Sequence, residues 1–242
     1  EEERVLAGYL PLPEFVRNRE EIDHYLALHK GEFSNVEVSE IEQRNWNALW
    51  ESNFEPTVVN DRCAVIAPFH ERTGVEYELV IMPKMSFGTG HHETTRLMME
   101  DIFELDLAGK AGLDMGCGTG VLAILAARRG ASHVDAVDID EWAYDNAQEN
   151  VAANGVAERV TVKIGDASLL AGMKYRFILA NINRNILLED MNKYVAVLEP
   201  GGTLSISGFL AEDVEVLKAC AASLGLTHEK TASRWHMMRF RK

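Results

Sequence analysis

The sequence has few cysteines, no long apolar run and a shortage of basic residues. Its cysteines, Cys63, Cys117 and Cys220, follow no metal-binding spacing and suggest no disulfide scaffold, which favours a reducing compartment. No run of eighteen apolar residues occurs and no signal peptide is visible, so we expect a cytoplasmic protein without a membrane partner. The 242 residues are enough for one full domain and an appendage.

The charge balance indicates the kind of partner. The chain has 38 acidic against 24 basic residues and a net charge of −14. Proteins that bind nucleic acid through its phosphates need a basic surface, so direct nucleic-acid binding is not expected. A basic protein is the favoured partner because opposite net charges speed encounter, although acidity also serves solubility alone.

The centre of the sequence is a glycine-rich turn between an apolar strand and a helix. Residues 111–115 form a short apolar run, three glycines follow within five positions, and residues 121–129 have helical spacing. Glycine permits backbone conformations closed to other residues and lets a ligand approach closely. Gly116 and Gly118 are therefore candidate cofactor-binding residues.

An acidic residue completes this nucleotide-binding pattern. Residues 133–137 read as a second strand, and Asp138 follows at its carboxyl end, about twenty residues after the glycines. An acid in that place can accept hydrogen bonds from both hydroxyls of a ribose. Asp138 is therefore predicted to bind the sugar of a nucleoside.

The glycine spacing distinguishes between nucleotides. A diphosphate cofactor prefers Gly-x-Gly-x-x-Gly, whereas this chain has Gly-x-Gly-x-Gly preceded by Asp114. A carboxylate there is expected to repel a diphosphate and to suit a cationic ligand. S-adenosylmethionine combines adenine, ribose and a positive centre, and it is the predicted cofactor.

The remaining residues continue the alternation of strand and helix. Further strands are predicted at 160–165, 177–180, 203–207, 226–230 and 235–241, with helices at 141–154, 185–198 and 212–224. The result is a seven-stranded, doubly wound α/β domain. Ligands lie at the carboxyl ends of such strands, so Asn181 should face the reacting methyl unless it caps the next helix, and Asp166 should reach the adenine amino group.

The first part of the chain differs from the rest. Residues 1–44 are predicted to form a partial α+β module that recognises the substrate, and residues 45–60 a linker helix with an apolar stripe. Residues 61–242 form the predicted methyltransferase domain. It begins with strands at 61–67 and 75–82, which the turn residues between them would join as a hairpin.

A glycine-containing loop precedes the helix before the central strand. It is expected to close over the cofactor crevice, and Thr94 or Thr95 is expected to cap or begin the helix that runs to Glu104. The adjacent His91 and His92 have no spaced third ligand, so no metal site is predicted.

Several of these stretches together resemble one family, the bacterial methyltransferases of ribosomal protein L11 (PrmA). The resemblance covers residues from about 45 to the end, and its most specific motif is the loop at 87–95. It is carried by Trp46…Trp50…Phe54-x-Pro56, Phe87-Gly88-Thr89-Gly90-x-His92-x-Thr94-Thr95, Asp114-x-Gly116-Cys117-Gly118-x-Gly120, Asp138-x-Asp140 and Ala180-Asn181-Ile182.

The resemblance implies an activity and a set of site residues. It implies that Thr95, Gly116, Asp138 and Asn181 bind S-adenosylmethionine, and that the amino-terminal module holds a large-subunit ribosomal protein. The acceptors would be lysine ε-amines and an α-amine. Separately from the resemblance, we expect a monomer. Two features depart from the family: Asn183 stands where leucine is usual, and the first module is short. No side chain is identified as a catalytic base.

Other functions remain open from the sequence alone. The Asn-Pro-Pro-Tyr pattern of enzymes that methylate planar nitrogens is absent, since Asn181 is followed by Ile182-Asn183-Arg184. A methyltransferase acting on another protein, a small molecule or RNA is an alternative. So is a dinucleotide-binding oxidoreductase or a sensor, which binding of NAD instead of S-adenosylmethionine would reveal.

Overall fold

The computed structural model describes residues 10–32, 38, 55–84 and 88–242. The chain divides into two compact units, Glu1–Asn53 and Phe54–Lys242. No helix among the described residues combines the length and apolar character needed to cross a membrane.

The larger unit alternates strands and helices as the periodicity predicts. Its strands are β1 (Thr57–Asn60), β2 (Cys63–Ile66), β3 (Tyr77–Val80), β4 (Ala111–Met115), β5 (His133–Asp138), β6 (Val160–Ile164), β7 (Tyr175–Asn181), β8 (Leu198–Leu210), β9 (Gly225–Ala232) and β10 (Trp235–Arg241). The helices of both units are α1 (Leu12–Arg17), α2 (Arg19–Leu28), α3 (Glu93–Glu104), α4 (Val121–Arg128), α5 (Glu141–Ala153), α6 (Arg184–Val197) and α7 (Val214–Cys220). Short 3-10 helices lie at Ala167–Leu170 and Ala211–Asp213.

Seven strands form one mostly parallel sheet. Its order is β6-β5-β4-β7-β8-β10-β9, and β10 runs antiparallel to both of its neighbours. Two apolar clusters cover the two faces of this sheet: residues of α3, α4 and α5 contribute to one, and residues of α6 and α7 to the other. The predicted seven-stranded, doubly wound α/β class is therefore confirmed.

A second, three-stranded sheet in the order β1-β2-β3 corrects one prediction. The strands expected at 61–67 and 75–82 exist, but they pair in parallel and do not form a hairpin. The hairpin lies one strand earlier, because β1 and β2 pair antiparallel across the short turn Asp61-Arg62. The connection from β2 to β3 returns the chain to the same end of β2, so its turn residues do not make a tight reversal.

The amino-terminal unit is described only in part. The predicted helix over residues 19–30 is α2, which has no buried residue, and the strands predicted before and after it fall largely outside the described residues. Of the predicted linker helix, residues 45–54 also lie outside them. Its last residues form β1 instead of a helix, as suits the β-branched sequence Thr57-Val58-Val59.

Candidate active site

A cavity of about 480 Å³ opens at the carboxyl edge of the large sheet. Four adjacent strands, β4 to β7, end at this edge, and residues at or just beyond each strand end line the cavity. They include Gly116, Gly118, Asp138 and Asn181, four of the five predicted site residues. The volume lies within the range of about 300–1,000 Å³ that is typical of pockets for small molecules.

The glycine loop and Asp138 are joined by hydrogen bonds. The backbone N–H of Gly118 donates to Asp138 Oδ2 (2.8 Å), and that of Asp140 donates to Oδ1 (3.1 Å). Each carboxylate oxygen has a second lone pair, so Asp138 is held in place while it keeps capacity to accept two further hydrogen bonds. This geometry suits a ribose whose two hydroxyls face the carboxylate.

Asn181 contacts the fifth predicted residue, Thr95. Asn181 Nδ2 donates to Thr95 Oγ1 (3.3 Å), and Thr95 itself is almost completely buried and does not line the cavity. The carboxamide oxygen of Asn181 is buried and has no hydrogen-bond partner among the described residues. Buried polar atoms are rarely left without a partner, so this oxygen marks a place where a bound donor is expected.

The segment after Asn181 is enclosed by two glycines. A Cβ on Gly116 would overlap Cγ2 of Ile182, and a Cβ on Gly208 would overlap the backbone carbonyl of Ile182. Both glycines also have positive φ, +70° and +96°. Gly116, just after β4, and Gly208 in β8 therefore enclose Ile182, the residue after Asn181, at its side chain and at its backbone.

Asp114 does not have the role that its sequence position suggested. Its side chain is fully buried and accepts a hydrogen bond from the backbone N–H of Ala123 (3.0 Å) in the first turn of α4. Burial raises the pKa of Asp114 to about 7, a shift that the Ala123 hydrogen bond opposes and nearby Asp138 adds to. The expectation that it attracts a cationic ligand is wrong, because the carboxyl group anchors the helix and does not line the cavity.

Asp114 should make stability depend on pH. A carboxyl group whose folded pKa lies near 7, against about 3.9 unfolded, binds more protons when folded, so its stabilising contribution is lost as pH rises from about 4 to 7. We expect Asp114→Asn to become more stable relative to the parent across that window, by up to about 4 kcal/mol. Urea unfolding of both proteins at pH 4.5 and 7.5 measures this difference, and parallel pH profiles would contradict it.

The cavity is also lined by an acid and by exposed apolar side chains. Asp166 Oδ1 accepts the Ser168 N–H (2.8 Å), and the hydrogen bonds from Ser168 lower the pKa of Asp166, so it is an ionised acceptor at neutral pH. Ile139 and Trp142 line the same cavity and are 74% and 78% exposed. An apolar wall beside a hydrogen-bond acceptor suits an adenine ring.

Sequence reasoning gave no site role to His92, Trp235 or Gly208, which also line the cavity. The imidazole of His92 contacts the Trp235 ring at a centroid distance of 4.9 Å. His92, rather than Thr94 or Thr95, is the N-cap of α3, because its Nδ1 accepts the Thr94 N–H (3.3 Å). The Phe-Gly-Thr-Gly-x-His motif could have drawn attention to His92, whereas no local signal marks Trp235 or Gly208.

The cysteine in the glycine loop is not a reactive group. Cys117 is buried, and burial raises the pKa of its thiol well above the ordinary value, so the thiol stays protonated at neutral pH. The other cysteines are also free. Within residues 10–32, 55–84 and 88–242, no group of three His, Cys, Asp or Glu side chains is placed to hold a metal ion.

The strand order, the glycine loop after β4 and the acid at the end of β5 define a class I S-adenosylmethionine-dependent methyltransferase. The family described as ribosomal protein L11 methyltransferase (PrmA) matches residues 4–242. The chain belongs to this family, and its cofactor is S-adenosylmethionine.

Individual relatives agree with this assignment. The chain is 53% identical to the ribosomal protein L11 methyltransferase of Porphyromonas gingivalis over 201 residues, covering 81% of this chain and 69% of the relative. It is 47% identical to that of Phocaeicola vulgatus over 208 residues, covering 84% and 74%.

Solved structures show the same architecture. A ribosomal protein L11 methylase from Lactobacillus delbrueckii subsp. bulgaricus superimposes with a TM-score of 0.71 at 25% identity, covering 78% of this chain and all of the other. A SAM-dependent O-methyltransferase from Thermotoga maritima, with a TM-score of 0.53 at 19% identity over 61% and 64% of the two chains, shares the fold.

Proposed function

We propose that the protein methylates amino groups of ribosomal protein L11, namely lysine ε-amines, with an α-amine as a further acceptor. Support comes from the family and from relatives named as methyltransferases of that protein. The single structural observation that carries the amine assignment is that Asn181 lines the cavity while its buried carboxamide oxygen has no hydrogen-bond partner among the described residues. An amine is a hydrogen-bond donor that fits this acceptor.

The residues that would hold the cofactor have distinct tasks. We propose that Asp138 accepts the ribose hydroxyls, that Asp166 accepts the adenine amino group, and that Gly116 and Gly118 let the backbone approach closely. Thr95 accepts a hydrogen bond from Asn181 Nδ2 and so holds the carboxamide in place. When bound, S-adenosylmethionine supplies a methyl group on a sulfonium, which the lone pair of an amine takes with release of a neutral thioether.

The chemical contribution of the chain is then mainly to position the acceptor. With Asn181 Nδ2 occupied by Thr95, Oδ1 is left to accept an N–H of the incoming amine and to direct its lone pair. Orientation of this kind accounts for a large part of the rate of many bimolecular enzyme reactions. A carboxamide cannot remove a proton at neutral pH, so the ammonium must lose its proton to water as its surroundings become less polar.

The charge distribution supports a role for the amino-terminal unit in holding the substrate. Residues 1–53 carry 12 acidic and 5 basic residues, whereas the much longer remainder carries 26 and 19. Half of the net charge of −14 therefore belongs to about a fifth of the chain. A ribosomal protein binds RNA phosphates and needs basic surface, so we propose that this acidic unit attracts it.

Mass spectrometry of L11 tests the proposed function. Purified L11 and protein-free ribosomal RNA, each incubated with the enzyme and methyl-labelled S-adenosylmethionine, should give label only in L11, at lysine residues and the α-amine. Label at another amino-acid type would overturn the amine assignment. Label only in RNA would overturn the proposed substrate.

A charge reversal tests the docking role in the same assay. Glu20→Lys/Glu21→Lys on exposed positions of α2 should raise KM for L11 about tenfold and leave kcat unchanged, because encounter and holding weaken but the chemistry does not. The control reverses Asp106 and Glu158, exposed residues that precede β4 and β6 at the edge of the large sheet opposite the cavity. Equal KM changes in both variants would indicate only the effect of net charge.

A further inference from the structure

Three buried asparagines on α5 and its C-cap form a row that faces strand β3. Asn146, Asn150 and Asn154 are four residues apart, and their exposures are 0%, 1% and 8%. Four residues of helix rise about 6 Å, close to the repeat of about 6.6–6.8 Å between alternate residues of a strand. Side chains at this spacing on one helix face can therefore form hydrogen bonds with the backbone of alternate residues in an extended segment.

The asparagine row satisfies backbone groups along β3 and just beyond it. The Val80 N–H donates to Asn154 Oδ1 (2.9 Å), and Asn154 Nδ2 donates to the Val80 carbonyl (2.7 Å). Two residues on, the Met82 N–H donates to Asn150 Oδ1 (2.9 Å) and Asn146 Nδ2 donates to the Met82 carbonyl (3.3 Å). The row thus takes the place of a neighbouring strand at this edge of the small sheet.

Asn150 differs from Asn154 because its second hydrogen bond reaches the glycine loop. Asn150 Nδ2 donates to the buried carbonyl of Thr119, between Gly118 and Gly120 (2.9 Å). The hydroxyl of Thr119 in turn donates to the carbonyl of Gly88 (2.7 Å). Thr119 is therefore linked to Gly88 directly and to Met82 through Asn150.

We propose that Asn150 is a positioning residue for the cofactor, holding the glycine loop against Met82, just beyond β3. The backbone N–H of Gly118, next to Thr119, bonds the ribose-binding Asp138, so a shift of Thr119 displaces that contact. Asn150 does not line the cavity and acts only through the loop. This inference rests on the cofactor and not on the identity of the methyl acceptor.

A pair of matched substitutions separates positioning from stability. Asn150→Asp keeps an acceptor for the Met82 N–H but replaces the donor to Thr119 by an oxygen that repels its carbonyl. Asn154→Asp makes the same chemical change on the same helix face, with no contact to the glycine loop. We expect both variants to lower the melting temperature. Only Asn150→Asp should raise the Kd for S-adenosylmethionine, about tenfold, in calorimetry without L11.

Amide exchange in the unchanged protein gives a second measurement that needs no variant to fold. Addition of S-adenosylmethionine should slow exchange of the Met82 amide about fivefold or more, and should leave the Val80 amide, which bonds Asn154, within about twofold. Equal Kd values for the two variants, or an unchanged Met82 amide, would overturn the proposal. Because no acceptor is present in either experiment, its failure would leave the proposal about L11 unaffected.

Discussion

Asp138→Ala is expected to weaken S-adenosylmethionine binding by about 1–3 kcal/mol, roughly fivefold to more than a hundredfold in Kd. The carboxylate is the group at the end of β5 that faces the cavity with unused lone pairs, and hydrogen bonds to a charged acceptor are stronger than those between neutral groups. Titration calorimetry with the pure protein measures the change directly.

A control must separate this loss from a general loosening of the strand, because Asp138 also holds the Gly118 N–H. Asp135 lies on the same strand, where it accepts the Tyr175 hydroxyl (2.7 Å) and pairs with Lys163 (2.7 Å), away from the cavity. Asp135→Asn should lower the melting temperature and leave Kd within about twofold. Unchanged affinity in Asp138→Ala would show that the ribose is bound elsewhere.

Asn181→Leu is expected to lower kcat about a hundredfold while Kd for S-adenosylmethionine changes only severalfold. Leucine has a similar size and shape but no acceptor, so the amine loses the group that orients its lone pair, and misplacement of about 1 Å can cost this much. Single-turnover methylation of L11 at saturating cofactor measures the effect. A variant that lost affinity but kept its turnover rate would show that Asn181 only binds the cofactor.

Thr95→Val provides an intermediate case. It keeps the Asn181 acceptor but removes the hydroxyl that accepts from Asn181 Nδ2. The carboxamide can then rotate, and we expect turnover to fall about tenfold, less than for the loss of the acceptor itself. A fall as large as that of Asn181→Leu would mean that the hydroxyl of Thr95 has a more direct part in the reaction.

The strands of the large sheet and the helices that cover it were predictable because the pattern of apolar residues in each segment matches the side chains that it buries. A uniformly apolar run at 177–180 indicated the buried strand β7, short runs rich in apolar residues indicated its parallel neighbours, and 3.6-residue spacing indicated the helices between them. The pairing of β2 with β3 was not predictable, because the turn residues at 71–74 look the same in a hairpin and in a longer return. Pairing was decided by β1, which takes one edge of β2 and leaves the other to β3.

Candidate site residues were predictable where the residue types at one strand end and in the following turn are themselves characteristic of nucleotide binding, as at Gly116 and Asp138. Asp114 shows the limit of sequence reasoning. Alternation along a strand tells which side chains share a face of the sheet, but it does not tell which side chains reach the ligand. The cofactor was inferred correctly, although the electrostatic reason from Asp114 was wrong. Gly208 and Trp235 line the cavity because the sheet places β8 beside β7 and β10 beside β8. No local sequence pattern around either residue indicates this.

The enclosure of Ile182 by Gly116 and Gly208 has a consequence for redesign of the enzyme. A side chain added at either position collides with Ile182, so the part of the cavity that we propose faces the transferred group cannot be remodelled from Gly116 or Gly208. Ile139 and Trp142, which line the same cavity, are mostly exposed to solvent. With the adenine placed against these two side chains as we propose, synthetic donors modified at their base should be easier to accommodate than donors that carry a bulkier alkyl chain.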